Sequence, residues 1–209
     1  MKTTQFANIT NVGNYFKLVI LIILLLGIPT TFLTGDKPIF LFISLSYTLL
    51  WIVSIILFCS WFHRISKNKI VLAGLEEIPL YNNNKTKKLT SPGWSVGYFF
   101  IPIAACYKPY IAMKEAWFVS NKVAYNSPSI KWDFIKNWWT IWLLSGYIGQ
   151  LSIRAQLRGE NYALALDILS VFFNFILVFI TIVLVNKLTN IQNKAMNERQ
   201  LSDSAYLQV

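Results

Sequence analysis

Two long apolar segments separated by a short polar turn constrain this chain more than any other feature. The first runs from Phe16 to Leu33 and the second from Ile39 to Phe62. A helix rises about 1.5 Å per residue, so roughly 20 apolar residues cross a hydrocarbon core of about 30 Å. The sequence therefore predicts two transmembrane helices, at 16–33 and 39–62. The turn between them contains Gly35 and Pro38, which predicts an antiparallel hairpin.

The composition supports a membrane environment. Hydrophobic residues make up 55% of the 209 residues and charged residues only 13%, whereas a soluble domain contains about 25% charged residues. This shortage of charge excludes an ordinary soluble fold, a disordered tail and a basic nucleic-acid-binding module, even though the net charge is +10. The length predicts a single membrane domain over residues 1–209.

Two further apolar segments predict a second hairpin near the end of the chain. Residues 138–153 and 162–185 are the third and fourth predicted spans, joined by a short polar loop, and residues 186–209 are a polar tail. Tryptophans cluster near the start of the third span, where an aromatic belt anchors a helix at the membrane interface. They are Trp132, Trp138, Trp139 and Trp142.

Between the hairpins, residues 94–118 have an unusual pattern. Ser91 and Pro92 are typical of a helix start, but the apolar run that follows is short and contains Pro102. Lys108 and Pro109 then begin a second short helix that is predicted to end at Trp117. We predict a broken re-entrant or interfacial helical element, with a fifth full crossing as the alternative. The residues expected to shape the break are Gly93, Gly97, Pro102 and Pro109.

The distribution of basic residues predicts the orientation. Residues 63–93 form a basic loop, and most of the 19 Lys and Arg residues fall on the same predicted side as this loop. The exceptions are Lys37, Arg154 and Arg158. Cytoplasmic loops carry the excess of Lys and Arg, so both termini, the loop and the broken element are expected in the cytoplasm. The fold class is therefore an all-α integral membrane protein with about four transmembrane helices in two hairpins.

Three sequence blocks resemble a known family. They are SPGWSVGYFFIPIAACYKPYIAMKEAWFVS at 91–120, WFHRISKN at 61–68 and WWTIWLL at 138–144. In this order they are similar to a bacterial membrane family catalogued as domain of unknown function 4328. At Ala105 the sequence departs from the family, which often has Asn there. The resemblance implies a multi-span protein of the bacterial cytoplasmic membrane and supplies no catalytic residues.

Charged and aromatic residues in and near the broken element are the candidates for ligand or lipid binding, or for gating. A charge near the hydrocarbon costs about 2.5–3.5 kcal/mol on insertion scales, so these charges should face protein, water or headgroups. Lys108 and Glu115 are seven residues apart and are expected to line one groove, with Arg64 as the partner of Glu115. In the alternative interpretation, the lysines extend to headgroups and the aromatic residues form an interfacial belt. The candidates are Arg64, Trp94, Lys108, Tyr110, Lys114, Glu115 and Trp117.

Other polar residues suggest structural roles. Asp167 is expected to pair with Arg154 or Arg158 across the turn of the second hairpin. Cys59 and His63 have the spacing of two metal ligands, but a structural zinc site needs about four, and we predict neither a metal nor another cofactor.

The sequence contains no catalytic motif that we recognise, so a non-enzymatic function is expected. We predict a membrane-embedded protein that binds lipid or a partner, or acts as a scaffold. The alternative is a small oligomeric transporter or channel subunit that uses residues 94–118. The expected partners are the bilayer, its anionic cytoplasmic headgroups, and either a second copy or another membrane protein. Nucleic acid is not an expected partner.

Overall fold

The computed structural model describes residues 6–32, 38–74, 77–79, 86–125 and 133–206. Several predicted features lie outside these ranges. They are the turn between the first two spans, Trp132 of the tryptophan cluster, the Asn-rich centre of the basic loop and the last three residues of the tail.

Four long helices dominate the described chain. They are α1 (Thr10–Phe32), α2 (Pro38–Ala73), α6 (Asp133–Leu157) and α7 (Ala163–Tyr206). Within the described residues, three are long and apolar enough to cross a membrane: α1, α2 and α7, over Thr10–Gly27, Leu41–Ala73 and Ala163–Leu201. Helix α6 has 25 residues and is less apolar, because Trp, Ser, Gly and Gln interrupt its aliphatic residues. The chain is therefore predominantly helical and has the character of a membrane protein.

Both hairpins contain antiparallel helices within one compact unit, which comprises residues 14–58 and 136–184. In the first hairpin the rings of Phe16 and Phe58 lie 5.4 Å apart between centroids. A Cβ on Gly27 would lie 3.5 Å from the ring of Tyr47. The two contacts are the same number of residues apart on α1 and on α2, but they occur in the opposite order along the two helices. The two helices therefore pack antiparallel.

The second hairpin is joined by a ladder of polar side-chain pairs, which we call the polar seam. Its members are Trp138 with Thr181, Ser145 with Asn174, and Ser152 with Asp167. Successive pairs are separated by seven residues on each helix and run in opposite directions. Seven residues are about two helical turns, so all the pairs lie along one face of α6 and one face of α7.

The expected ion pair of Asp167 with Arg154 or Arg158 is wrong. Asp167 accepts hydrogen bonds from Ser152 and Gln156 of α6. The antiparallel register places these residues opposite Asp167, whereas the Arg154 side chain is exposed.

The second compact unit comprises residues 1–13, 59–135 and 185–209, within the ranges described above. Here α2 continues as a helix to Ala73, and α7 continues to Tyr206. The sequence predicted a polar tail after residue 185, but its described part is helical. Its residues still allow a helix because Gln, Lys, Glu and Arg are good helix formers.

A short β-ribbon lies in the predicted basic loop. Strand β1 (Glu77–Pro79) pairs antiparallel with β2 (Thr86–Lys88), and Glu77 lies opposite Lys88. The prediction of an exposed loop did not include these strands. At three residues each, they are too short to give the alternating pattern that marks a strand in a sequence.

The segment between the hairpins consists of short helical pieces followed by one longer helix. The pieces are α3 (Pro92–Gly97), a 3₁₀ turn (Tyr98–Phe100) and α4 (Pro102–Ala105). Ser91 caps α3 by accepting a hydrogen bond from the Trp94 amide, and Ile101 is extended immediately before Pro102. A residue before proline is disfavoured in the helical conformation, which explains the interruption. Helix α5 then runs over Lys108–Tyr125, beyond the predicted end at Trp117.

Candidate functional site

The short pieces from Pro92 to Tyr107 expose large apolar side chains. Because α5 is a continuous helix from Lys108 to Tyr125, the name broken element is used from here on only for Pro92 to Tyr107. Ile103 is 81% exposed and Phe100 is 69% exposed. The chain folds in this way because Pro102 restarts the helix only one residue after the 3₁₀ turn ends. Short pieces of one or two turns cannot bury all their side chains against a neighbour. Trp94, Ile101 and Tyr107 are also exposed.

A lysine lies beside this apolar surface and is held by aromatic rings. The Lys108 ammonium is 5.6 Å from the ring centroid of Tyr98 and 5.4 Å from that of Tyr107. Both distances permit a cation–π attraction. Trp94 packs against Tyr98 at 5.3 Å between ring centroids. The rings therefore hold a positive charge at the edge of an exposed apolar surface.

The predicted site residue Glu115 belongs to a buried ion pair. Its Oε2 lies 3.0 Å from the Nζ of Lys69, which is fully buried. Thr90 donates to Glu115 twice, from its backbone N–H at 2.9 Å and from its hydroxyl at 3.1 Å. Lys69 also donates to the Thr90 carbonyl at 2.9 Å. Each charge is thus neutralised and hydrogen-bonded, as a buried charge requires.

This arrangement fixes the start of the broken element. Thr90 immediately precedes Ser91, the N-cap of α3, and it contacts both Lys69 of α2 and Glu115 of α5. The ion pair therefore ties three segments of the chain together at one point. Because Glu115 is fully engaged by these donors, its role in this geometry is positional.

Two expectations about Glu115 are wrong. Arg64 is not its partner, because the Arg64 guanidinium donates to the carbonyl of Asn8 at 2.8 Å. Lys108 and Glu115 do not line one groove, since Glu115 faces Lys69 while Lys108 lies over Tyr98 and Tyr107. Lys69 was missed because it directly follows Lys67 and Asn68, and such a polar and basic run is usual at a solvated helix end.

The other candidate residues occupy different environments. Trp117 is buried, with its ring 6.4 Å from that of Phe134 between centroids. Tyr110 and Lys114 are half-buried, and Trp94 is exposed. The candidates thus range from Glu115 and Trp117, which are buried within α5, to Trp94, which is exposed on the broken element.

The glycines near the break do not depend on the conformational freedom of glycine. Gly97 has a helical φ of −56°, and a Cβ on Gly93 would meet nothing within 4 Å. The prolines have the clearer structural role, because Pro102 is the first residue of α4 and Pro109 is the second residue of α5.

A second buried polar cluster lies in the same unit, and no sequence pattern predicted it. Asn68 accepts from the Ala7 amide at 2.8 Å and donates to the Ala7 carbonyl at 3.0 Å. Asn68 also donates to Gln192, whose amide donates to the carbonyl of Ile65 at 3.0 Å. Asn68 and Gln192 are both fully buried. This cluster joins the N-terminal segment, α2 and α7 through specific hydrogen bonds.

Comparison with known proteins shows that a family model matches most of the chain. The family model described as a domain of unknown function (DUF4328) matches residues 33–190, which confirms the resemblance seen in the sequence. No curated protein and no solved structure matches the chain.

Proposed function

The chain belongs to the family described as a domain of unknown function (DUF4328), and from its geometry we propose a non-enzymatic lipid-binding or scaffold protein. In this proposal the chain lies in the bacterial cytoplasmic membrane and contacts lipid through the broken element. Its proposed partners are the bilayer and the anionic headgroups on the cytoplasmic face.

The observation that carries the proposal is the exposed apolar surface of the broken element. Phe100 and Ile103 expose most of their side chains, and exposed apolar patches commonly mark sites of protein or membrane contact. Trp94 and Tyr107 flank them, and these residue types are enriched at membrane–water interfaces. A cation next to such a surface matches the phosphate layer of a bilayer. Lipid is therefore the partner that this chemistry fits best.

The polar seam supports four membrane crossings, although α6 is less apolar than the other long helices. From Trp138 to Ser152, α6 stays paired with α7 between Thr181 and Asp167. This stretch of helix is about 21 Å long, which is most of a hydrocarbon core of about 30 Å. If α7 crosses the membrane, α6 accompanies it through most of the thickness. Its hydroxyl, amide and indole groups are tolerated there because they pair with α7.

Four crossings place both termini and the broken element on the same side. The lengths of the helices agree with this arrangement, since α2 has 36 residues and α7 has 44. Only roughly 20 residues are needed for a crossing. The remaining residues of both helices therefore extend beyond the hydrocarbon core. The excess of Lys and Arg supports a cytoplasmic location for that side.

The proposal is tested with a fluorescent reporter at the exposed apolar surface. In the full chain with Cys59→Ser and Cys106→Ser, Ile103→Cys is labelled with a polarity-sensitive dye and the protein is reconstituted into phosphatidylglycerol-containing vesicles. We expect blue-shifted emission and quenching by lipids that carry a shallow doxyl group. The matched control is Lys67→Cys, because Lys67 is exposed on the polar end of α2. Its label should be quenched by aqueous iodide instead.

The contrary result is equally clear. If iodide quenches the Ile103→Cys label as strongly as the Lys67→Cys label and doxyl lipid has no effect, the broken element does not contact lipid. Solute flux in the same vesicles that Lys108→Gln alters would favour the transporter function.

A further inference from the structure

The outer surface of the second hairpin carries amide side chains at membrane depth. Asn174 is exposed, although it lies eleven residues inside α7, or about 17 Å from its start. Its oxygen accepts from Ser145 at 2.8 Å, and the exposed amide still carries N–H donors. Gln150 of α6 is also exposed. Neither position suits contact with lipid chains, which offer no hydrogen bonds.

A glycine adjoins these amides and leaves room for another helix. Gly146 follows Ser145, the partner of Asn174, and precedes Gln150 by one helical turn. It is exposed, and a Cβ at this position would meet nothing within 4 Å. Gly149, by contrast, faces the interior of the hairpin, where a Cβ would lie 3.8 Å from the hydroxyl of Ser170. Small residues allow helices in membranes to approach closely, so Gly146 is the place where a partner can fit.

We propose that Gly146, Gln150 and Asn174 form the interface through which a second copy of this chain associates in the membrane. An amide is both a donor and an acceptor, so equivalent amides related by a two-fold axis satisfy each other. A two-fold interface uses the same patch on both copies. Because this patch is self-complementary, it does not require a different complementary surface on the partner. A second copy is therefore the occupant that matches it directly. The inference rests on the proposed crossing of the membrane by α6.

Cross-linking tests the geometry of this interface. In the full chain with Cys59→Ser and Cys106→Ser, Gly146→Cys is oxidised in vesicles at a high ratio of lipid to protein. We expect a disulfide-linked dimer. Phe172→Cys is the matched control, because Phe172 is exposed and lies at nearly the depth of Asn174 but on the opposite side of α7. This variant should remain monomeric on a denaturing gel.

Measured association tests the role of the amide. We expect Asn174→Leu to weaken dimerisation about 3- to 30-fold, the range given by single interhelical hydrogen bonds in membranes. Ser145→Ala removes the bond within the hairpin but keeps the Asn174 amide, so its dimer should persist. If Asn174→Leu does not fold, Gly146→Leu replaces it, because the added side chain fills open space in the single chain. This variant should block association.

The results separate this inference from the proposed function. Absence of the Gly146→Cys cross-link, or equal cross-linking of Phe172→Cys, overturns the interface. Association that is unchanged in both Asn174→Leu and Gly146→Leu also overturns it. Thiol labelling at Asn137→Cys and Leu157→Cys from one side of the vesicle reports whether α6 crosses. If both positions are labelled from the same side, α6 does not cross the membrane and the proposed crossing is refuted. If only one position is labelled and the chain is monomeric, α6 crosses and only the dimer is refuted.

Discussion

Replacing Glu115 by Gln tests whether the buried ion pair fixes the start of the broken element. The substitution keeps the size of the side chain and one acceptor oxygen, but it removes the charge that faces Lys69. Lys69 is fully buried, so its ammonium would remain in the interior with no opposite charge beside it. Thr90 would also compete with Lys69 for the remaining acceptor.

The magnitude follows from the environment of the pair. Removing one partner of a buried ion pair costs about 3–5 kcal/mol of unfolding free energy. Because Gln retains an acceptor and Glu115 is 9% exposed, we expect the lower end, about 3 kcal/mol. Adding Lys69→Met removes the unpaired charge, so the double variant should recover about 2 kcal/mol, leaving about 1 kcal/mol for weakened hydrogen bonds.

Hydrogen exchange at Thr90 measures this change directly, because its amide donates to Glu115 at 2.9 Å. A loss of about 3 kcal/mol predicts exchange about 160-fold faster, at 1.36 kcal/mol per factor of ten. Glu198→Gln is the matched control, since Glu198 is exposed in the same unit. The reasoning is refuted if Glu115→Gln exchanges at the rate of this control, or if Lys69→Met makes Glu115→Gln less stable rather than more stable.

Two further substitutions test other parts of the structure, with stability measured by unfolding in mixed micelles. Gln192→Leu should lower the free energy of unfolding by about 2 kcal/mol, because it leaves buried polar groups of Asn68 and Ile65 without the partner that Gln192 provides. Gln200→Leu is the control, because Gln200 is exposed, and it should have little effect. Equal losses of stability in the two variants would contradict the buried cluster. Gly159→Ala should lower the free energy of unfolding by about 1–2 kcal/mol, because Gly159 has a φ of +66°. Gly159→Asn should cost less, and an equal loss would show that φ is not the cause.

The long apolar helices could be predicted because their signal is local. A run such as 39–62 has only one favourable environment, whatever the rest of the chain does. The starting position of α3 was also predictable, because Ser91 and Pro92 act through their own backbone and nearest neighbours. The ends of α5 and α7 were not predictable, since polar runs such as 120–122 and 186–187 are compatible with either a loop or a helix.

The candidate site could be predicted only in part, because its important contacts are distant in the sequence. Lys69 and Glu115 are separated by 46 residues, and the sequence gives no means of distinguishing Lys69 from Arg64 as the partner. The polar seam was hidden for a related reason. Ser145 and Ser152 are ordinary residues individually, and their spacing acquires meaning only when Asn174 and Asp167 lie opposite them.

The sequence by itself determined that this chain is predominantly helical and which of its segments are long and apolar enough to cross a membrane, because hydrophobic transfer depends on composition and length. The tertiary structure decided which polar side chains are buried, which ones pair, and which remain exposed. Those outcomes depend on the register between helices, since a shift of one residue rotates every side chain by about 100°. It is this register that buries Lys69 beside Glu115 and leaves Asn174 exposed.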